Sequence, residues 1–227
     1  MSWEKSSVLS LNLFTEKFRL KKHVIYETII STFKENINTP HAAPMGIIFE
    51  NDYVLIKPYK TSRTYKYMKK NRYATINFIN DLEIFYKLSL EDKNMEEFKD
   101  FFEIISEFNT PILKNADLSI EIKVIEDLTE KDIRANFKCE PLHYIYNIKY
   151  QEQFEPINRA KGCVLEAIIH STRVSLYRKL DKPELKAKID DLIFLLKHYR
   201  RIIKKVYPNS KYIWIIEDIF KRLNIED

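Results

Sequence analysis

Residues 53–80 contain no acidic side chain, yet they carry Lys57, Lys60, Arg63, Lys66, Lys69, Lys70 and Arg72. Three hydroxyls, those of Thr61, Ser62 and Thr64, stand among these cations. Hydroxyls, cations and the free N–H groups of a helix start make an anion site, and a phosphate would fit it. A solvated basic loop is the competing reading of the same residues. Upstream, residues 38–46 include His41, Ala42, Ala43, Pro44, Met45 and Gly46, with a further proline at position 40. A stiff backbone with small side chains lets a flat ligand reach main-chain groups. A rigid loop leading into a strand explains the same residues equally well.

Other chemistry finds little material. His23, His41, His143, His170 and His198 form no His-x-x-x-His pair, and no pair of carboxylates stands out for acid–base catalysis. Apart from His41, the histidines read as structural. Cys139 and Cys163 make no Cys-x-x-Cys pair, so a zinc ribbon and a disulfide framework are excluded, and Cys163 reads as an inert thiol. Two glycines in 227 residues exclude a P-loop, a dinucleotide-binding fingerprint and a nucleophile elbow.

The elements that must position these residues follow from periodicity. Hydrophobic residues make up 45% and charged residues 31%, the balance of a globular chain with a real core. The net charge of +5 is too small by itself to imply nucleic acid. The longest apolar run, 192–196, is far short of a membrane span, and residues 1–22 show no signal-peptide pattern. A reduced, cytoplasmic protein is the expectation. Residues 23–33 and 72–79 have the β-branched and aromatic content of strands, and 45–49 and 53–57 flank a hairpin turn. Further strands are expected at 118–126 and 133–139, and a short helix at 65–71. Between them, 82–115 is an acidic excursion with helical spacing over 94–106. From Asn158 onward apolar residues recur at helical spacing, with breaks at Pro183 and Pro208. Strands followed by helices argue an α+β fold.

Three runs together, 38–46, 57–65 and 75–81, resemble the FMN-binding split-barrel proteins related to flavin reductases. More narrowly, they resemble a mostly archaeal family of uncharacterised flavoproteins within that superfamily. In that family a later segment opens a helical extension, and residues 158–166 with Ser171, Thr172 and Arg173 are similar to it. The likeness spans roughly residues 23–180. It implies a split β-barrel over 20–150 and a helical extension over 151–227. It also implies a homodimer with FMN at the subunit interface. By this likeness His41, Ala42, Ala43, Pro44, Met45 and Gly46 would run along the isoalloxazine ring. Thr61, Ser62 and Thr64 would hold the phosphate, with Lys57 or Arg63 nearby. Asn77, Asn80 and Asp81 would approach the ring's polar edge or the ribityl chain, and Asn158 and Arg159 would reach in from the extension. The implied activity is an FMN-dependent oxidoreductase fed by a reduced nicotinamide, NAD(P)H, or a similar donor. The excursion at 82–115 has no simple flavin-reductase counterpart, which leaves the substrate pocket open.

Two other readings remain. Tyrosines interleave with cations from Tyr59 to Tyr73, a pattern that suits single-stranded nucleic acid through stacking and phosphate contacts. Acidic residues elsewhere dilute that field. A non-catalytic flavin-binding or storage protein would have the same cofactor residues and no turnover.

Overall fold

The computed structural model describes residues 3–8, 10–34, 39–90, 99–104, 108, 110–128, 133–147 and 154–226. The chain divides into two units, Met1–Ile157 and Asn158–Asp227.

The first unit opens with β1 (Trp3–Ser7) and α1 (Leu11–Lys17), continues through β2 (Ile25–Phe33), β3 (Pro40–Phe49) and β4 (Val54–Ile56), and reaches α2 (Arg63–Asn71). β5 (Tyr73–Phe78), α3 (Leu82–Leu90), β6 (Phe102–Glu103), β7 (Ile112–Leu113), β8 (Leu118–Asp127) and β9 (Phe137–Asn147) follow. β4, β3, β2, β5 and β8 pair antiparallel in that order, and β9 pairs with both β8 and β4, closing a six-stranded barrel. β1 extends the same edge of β9 beyond β4, with Trp3 opposite Asn147. The α+β class expected from the sequence is the class observed.

Register explains the two faces of the barrel wall. Ile30 lies opposite Ala43 and Ile76, and Ile76 opposite Ile120, so these side chains share one face. That face is the apolar core, where Phe49 and Phe78 also stack with ring centroids 6.5 Å apart. Ser31, Asn77, Ser119 and Glu121 occupy the alternate positions, yet they too are fully buried. The excursion covers them. Ile84 and Leu88 of α3, Phe102, Leu113 and Ala116 pack with Ile29, Ala42 and Ile79 into a second apolar cluster outside the barrel.

Several boundaries differ from the expectation. Trp3–Ser7 and Leu11–Lys17 form β1 and α1, which no sequence signal announces. β3 begins at Pro40 because the strand tolerates Pro44, which has no N–H to leave unsatisfied. β9 runs on to Asn147 because Pro141 sits at a register shift between Glu121 and Ile122, where a bulge absorbs it. The helix expected over 94–106 is not seen where the chain is described: 99–101 form a 3-10 turn leading into β6. Residues 94–98 and 105–106 lie outside the described residues.

The second unit holds α4 (Arg159–Leu180), α5 (Lys186–Val206) and α6 (Lys211–Arg222). Asn158 caps α4, accepting a hydrogen bond from the Ala160 N–H, and donates to the Val206 carbonyl at 3.2 Å. Ala160, Val164, Ala167 and Val174 of α4 are buried, as are Leu196, Ile203 and Val206 of α5 and Ile216 and Phe220 of α6. Arg200 holds α6 through a two-armed pair to Glu217, at 2.8 and 2.5 Å.

Candidate functional site

α2 starts where the hydroxyls lie. Ser62 is its N-cap, and Ser62 Oγ accepts from the Tyr65 N–H at 3.1 Å. A hydroxyl that accepts still has its own proton to donate. The first N–H groups of the helix have no intrahelical acceptor, and they carry the positive end of the helix dipole. Thr61 is exposed beside them. A groove of about 480 Å³ opens here, lined by Thr61, Ser62, Arg63 and the lysines at 60, 66, 69 and 70. Lys69 lies 3.0 Å from the Tyr65 hydroxyl, and that contact raises its ammonium above the usual lysine value. Lys57 and Arg63 are exposed and have no carboxylate partner among the described residues. The groove therefore presents positive charge and N–H groups to an anion.

The small-residue strip reaches the same place. His41 Nε2 and Thr64 Oγ1 share a hydrogen bond of 3.0 Å, with both residues buried. Tyr67 of α2 meets the His41 ring edge-on, centroids 5.1 Å apart. This contact joins the start of β3 to the first turn of α2. Beyond it, β3 pairs with β2 along its whole length but with β4 only at Ile47–Phe49. Ala43, Pro44, Met45 and Gly46 are partly exposed, and their second edge has no strand partner among the described residues. The barrel wall is split there, leaving a strip of backbone that leads on from the His41–Thr64 contact. Gly46 is required by its own neighbours: a Cβ there would lie 2.9 Å from Ile25 Cγ2.

The structure sorts the expected site residues into three groups. Ala43, Pro44, Met45, Gly46, Lys57, Thr61, Ser62 and Arg63 offer surface in or beside the split. His41, Ala42 and Thr64 are buried behind it and hold strand to helix. Asn77, Asn80 and Asp81 do other work. Asn77 is fully buried on the outer wall of the barrel. Its amide donates to Ile29 O and Ser31 Oγ and accepts from the Leu113 N–H and Ser119 Oγ, all within 3.1 Å. Asp81 caps α3 through the Glu83 and Ile84 N–H groups. Asn80 donates to the Glu155 carbonyl at 3.1 Å. Asn158 and Arg159 belong to the second unit, where Asn158 is a helix cap.

The buried polar wall escaped the sequence reading. Thr110 donates to Glu121 at 2.7 Å, His143 lies 3.6 Å from the same carboxylate, and Ser31 donates to the Pro111 carbonyl. The available signal was Ser31, Asn77, Ser119 and Glu121 standing at alternate, same-face positions of three strands. No three metal-ligating side chains converge among the described residues, and no helix there is long and apolar enough to cross a membrane. Burial pushes the thiols of both Cys139 and Cys163 up, away from the reactive thiolate.

Residues 26–147 match the family described as "Protein of unknown function (DUF447) N-terminal domain". An uncharacterized protein of Methanocaldococcus jannaschii is 27% identical over 207 residues, covering 89% of this chain and 100% of that one. An FMN-bound DUF447 protein from Methanosarcina mazei superposes with a TM-score of 0.54 at 23% identity, over 91% of this chain and 98% of that one. This chain shares its fold. A flavin reductase-type split-barrel protein from Shewanella frigidimarina aligns over 54% of this chain and 66% of that one, with a TM-score of 0.47 and 18% identity.

Proposed function

This chain belongs to the DUF447 family, and on that premise we propose that it is an FMN-binding flavoprotein acting as an oxidoreductase. The carrying observation is the His41–Thr64 hydrogen bond, which brings the open strip of β3 and the cationic start of α2 into one place. Backbone groups at Ala43, Pro44, Met45 and Gly46 meet the isoalloxazine ring. Thr61, Ser62 and the α2 N–H groups, with Arg63 and Lys57, meet the phosphate. The bound flavin supplies the electron transfer, and the protein's part is to hold and orient it. His41 and Thr64 are positioning residues for both halves of the site. A reduced nicotinamide is the donor in this reading, and the working form is a homodimer with the flavin at the subunit interface. The FMN-bound relative from Methanosarcina mazei supports the cofactor, and the absence of acidic residues over 53–80 supports a phosphorylated one.

The nucleic-acid reading has less behind it. Tyr65 stacks on Phe137, centroids 5.5 Å apart, and the Arg134 guanidinium lies 4.3 Å above the Tyr59 ring. Two of the rings that would receive bases are engaged within the protein.

Titration of the apo protein with FMN, followed by flavin fluorescence, tests the reading. Combined Thr61→Ala, Ser62→Ala and Thr64→Ala substitution should weaken FMN by roughly 100-fold while changing riboflavin far less. Equal losses for both ligands would mean the phosphate lies elsewhere. Anaerobic bleaching of the bound flavin by NADH or NADPH supports the oxidoreductase. A flavin that stays oxidised with every donor supports storage instead.

A further inference from the structure

Charge divides unevenly between the two units. Asn158–Asp227 holds sixteen lysines and arginines against nine aspartates and glutamates, whereas the barrel unit holds twenty-two against twenty-four. The positive excess of the chain therefore belongs to the helical unit. Its densest part is the C-terminal half of α5. Lys197, Arg200, Arg201, Lys204 and Lys205 fall within nine residues that include no carboxylate. At helical spacing these five share one arc of about 140°. Lys197, Arg200, Arg201 and Lys204 line a groove of about 280 Å³. Arg200 and Lys204 are fixed by Glu217 of α6, while Lys197, Arg201 and Lys205 have no carboxylate partner among the described residues. Two aromatic rings border these cations. Phe194 lies one turn before Lys197 and two before Arg201, and is 65% exposed. Trp214 lies one turn before Glu217, the residue that Lys204 reaches, and is 71% exposed. Neither ring meets another ring or a cation among the described residues. A tryptophan is seldom left so open, because few side chains have more apolar surface to bury.

We propose that this face of the helical unit binds single-stranded nucleic acid, with phosphates along α5 and bases on Phe194 and Trp214. Cations that track a backbone, with open aromatic faces beside them, are what an unpaired strand requires. Residues 197–205 rise about 12 Å along α5, room for roughly three phosphates. A duplex keeps its bases stacked on one another, so the two rings would have nothing to receive. An anionic bilayer would use the cations but needs a continuous apolar face. Here Lys197, Arg201 and Lys204 stand between the rings. The face is also distinct from the Tyr59–Tyr73 segment, where Tyr59 and Tyr65 are already engaged within the protein. The inference does not rest on flavin binding, and it holds for the protein with and without FMN.

Trp3→Phe leaves Trp214 as the sole tryptophan of the full chain. A single-stranded oligonucleotide of about ten nucleotides should quench its fluorescence, in apo form and with FMN. The logarithm of the affinity should fall against the logarithm of salt concentration with a slope of about −2, as for three phosphate contacts. Combined Lys197→Ala, Arg201→Ala and Lys205→Ala substitution should bring that slope close to zero and weaken binding by roughly 100-fold at low salt. Trp214→Leu, followed by anisotropy of a labelled oligonucleotide, should weaken binding by roughly ten-fold and leave the slope unchanged. Both variants keep Arg200, Lys204 and Glu217, so their circular dichroism should match the parent. No binding at low salt overturns the proposal. So does a duplex, or inorganic polyphosphate, bound as tightly as the single strand. Capture by anionic phospholipid vesicles without oligonucleotide binding overturns it in favour of a membrane surface. Oligonucleotide binding that ignores both variants overturns this face and leaves the flavin reading untouched.

Discussion

In the barrel unit, Ser31, Asn77, Ser119 and Glu121 are polar and fully buried, whereas in the helical unit Leu165, Ile168 and Leu176 are aliphatic and exposed. Both arrangements run against simple partitioning. The barrel's outer wall is polar because a returning segment of the same chain docks there. Asn77 reads that segment through the Leu113 N–H, and Glu121 reads it through Thr110. Hydrogen bonds fix one register, where an apolar wall would accept several. The outer face of α4 instead leaves Leu165, Ile168 and Leu176 to solvent. Closure of the barrel's outer wall is thus specified by polar pairing, whereas this helical face carries no such pairing.

Substitutions can break this contrast in graded steps. Asn77→Leu should have the largest effect, because it strands the Leu113 N–H and leaves Ser31 and Ser119 without a shared partner. The expected cost is about 3–5 kcal/mol in urea unfolding. Leu176→Ala, on the exposed face of α4, should change stability by under about 0.5 kcal/mol. Similar losses at the two positions would erase the distinction. Gly46→Ala forces the Ile25 side chain aside and should cost about 1–2 kcal/mol, read as a fall in melting temperature. Ser62→Ala removes the α2 cap for about 1 kcal/mol, and FMN should stabilise that variant less than the parent.

The smallest effect is one of pH, and it sharpens the contrast from the helical side. Arg200, and after it Lys204, hold the Glu217 carboxylate below the usual glutamate value. Its contribution is fully present above the unfolded-state value and is lost as the pH falls through the depressed folded value. Acid titration of α6 helicity should therefore weaken below the ordinary carboxylate range. Glu217→Gln should flatten that limb while leaving the neutral-pH fold in place.

Much of this was legible from residue order alone. The strands at 25–33 and 73–78, the helices after Asn158 and the hydroxyl-capped start of α2 all carry local signals, namely alternation, 3.6-residue spacing and hydroxyls before a helix. Asn77 is expected at the flavin through the family likeness alone, and the structure gives its amide four partners inside the protein. Its work becomes visible only when Leu113 and Ser119 arrive from more than thirty positions later. Ala42 looked like open backbone, and α3 and β7 bury it. β1 was illegible for the same reason: its partner strand lies at the far end of the barrel sequence.

That last pairing bears on how the molecule is made. Trp3 finds its neighbour only when Asn147 is available, and Glu4 receives the Tyr146 hydroxyl at 2.6 Å. About 140 residues lie between the two strands, so the pairing of β1 closes a long loop and comes late in folding. The edge of β9 beyond β4 stays open until then.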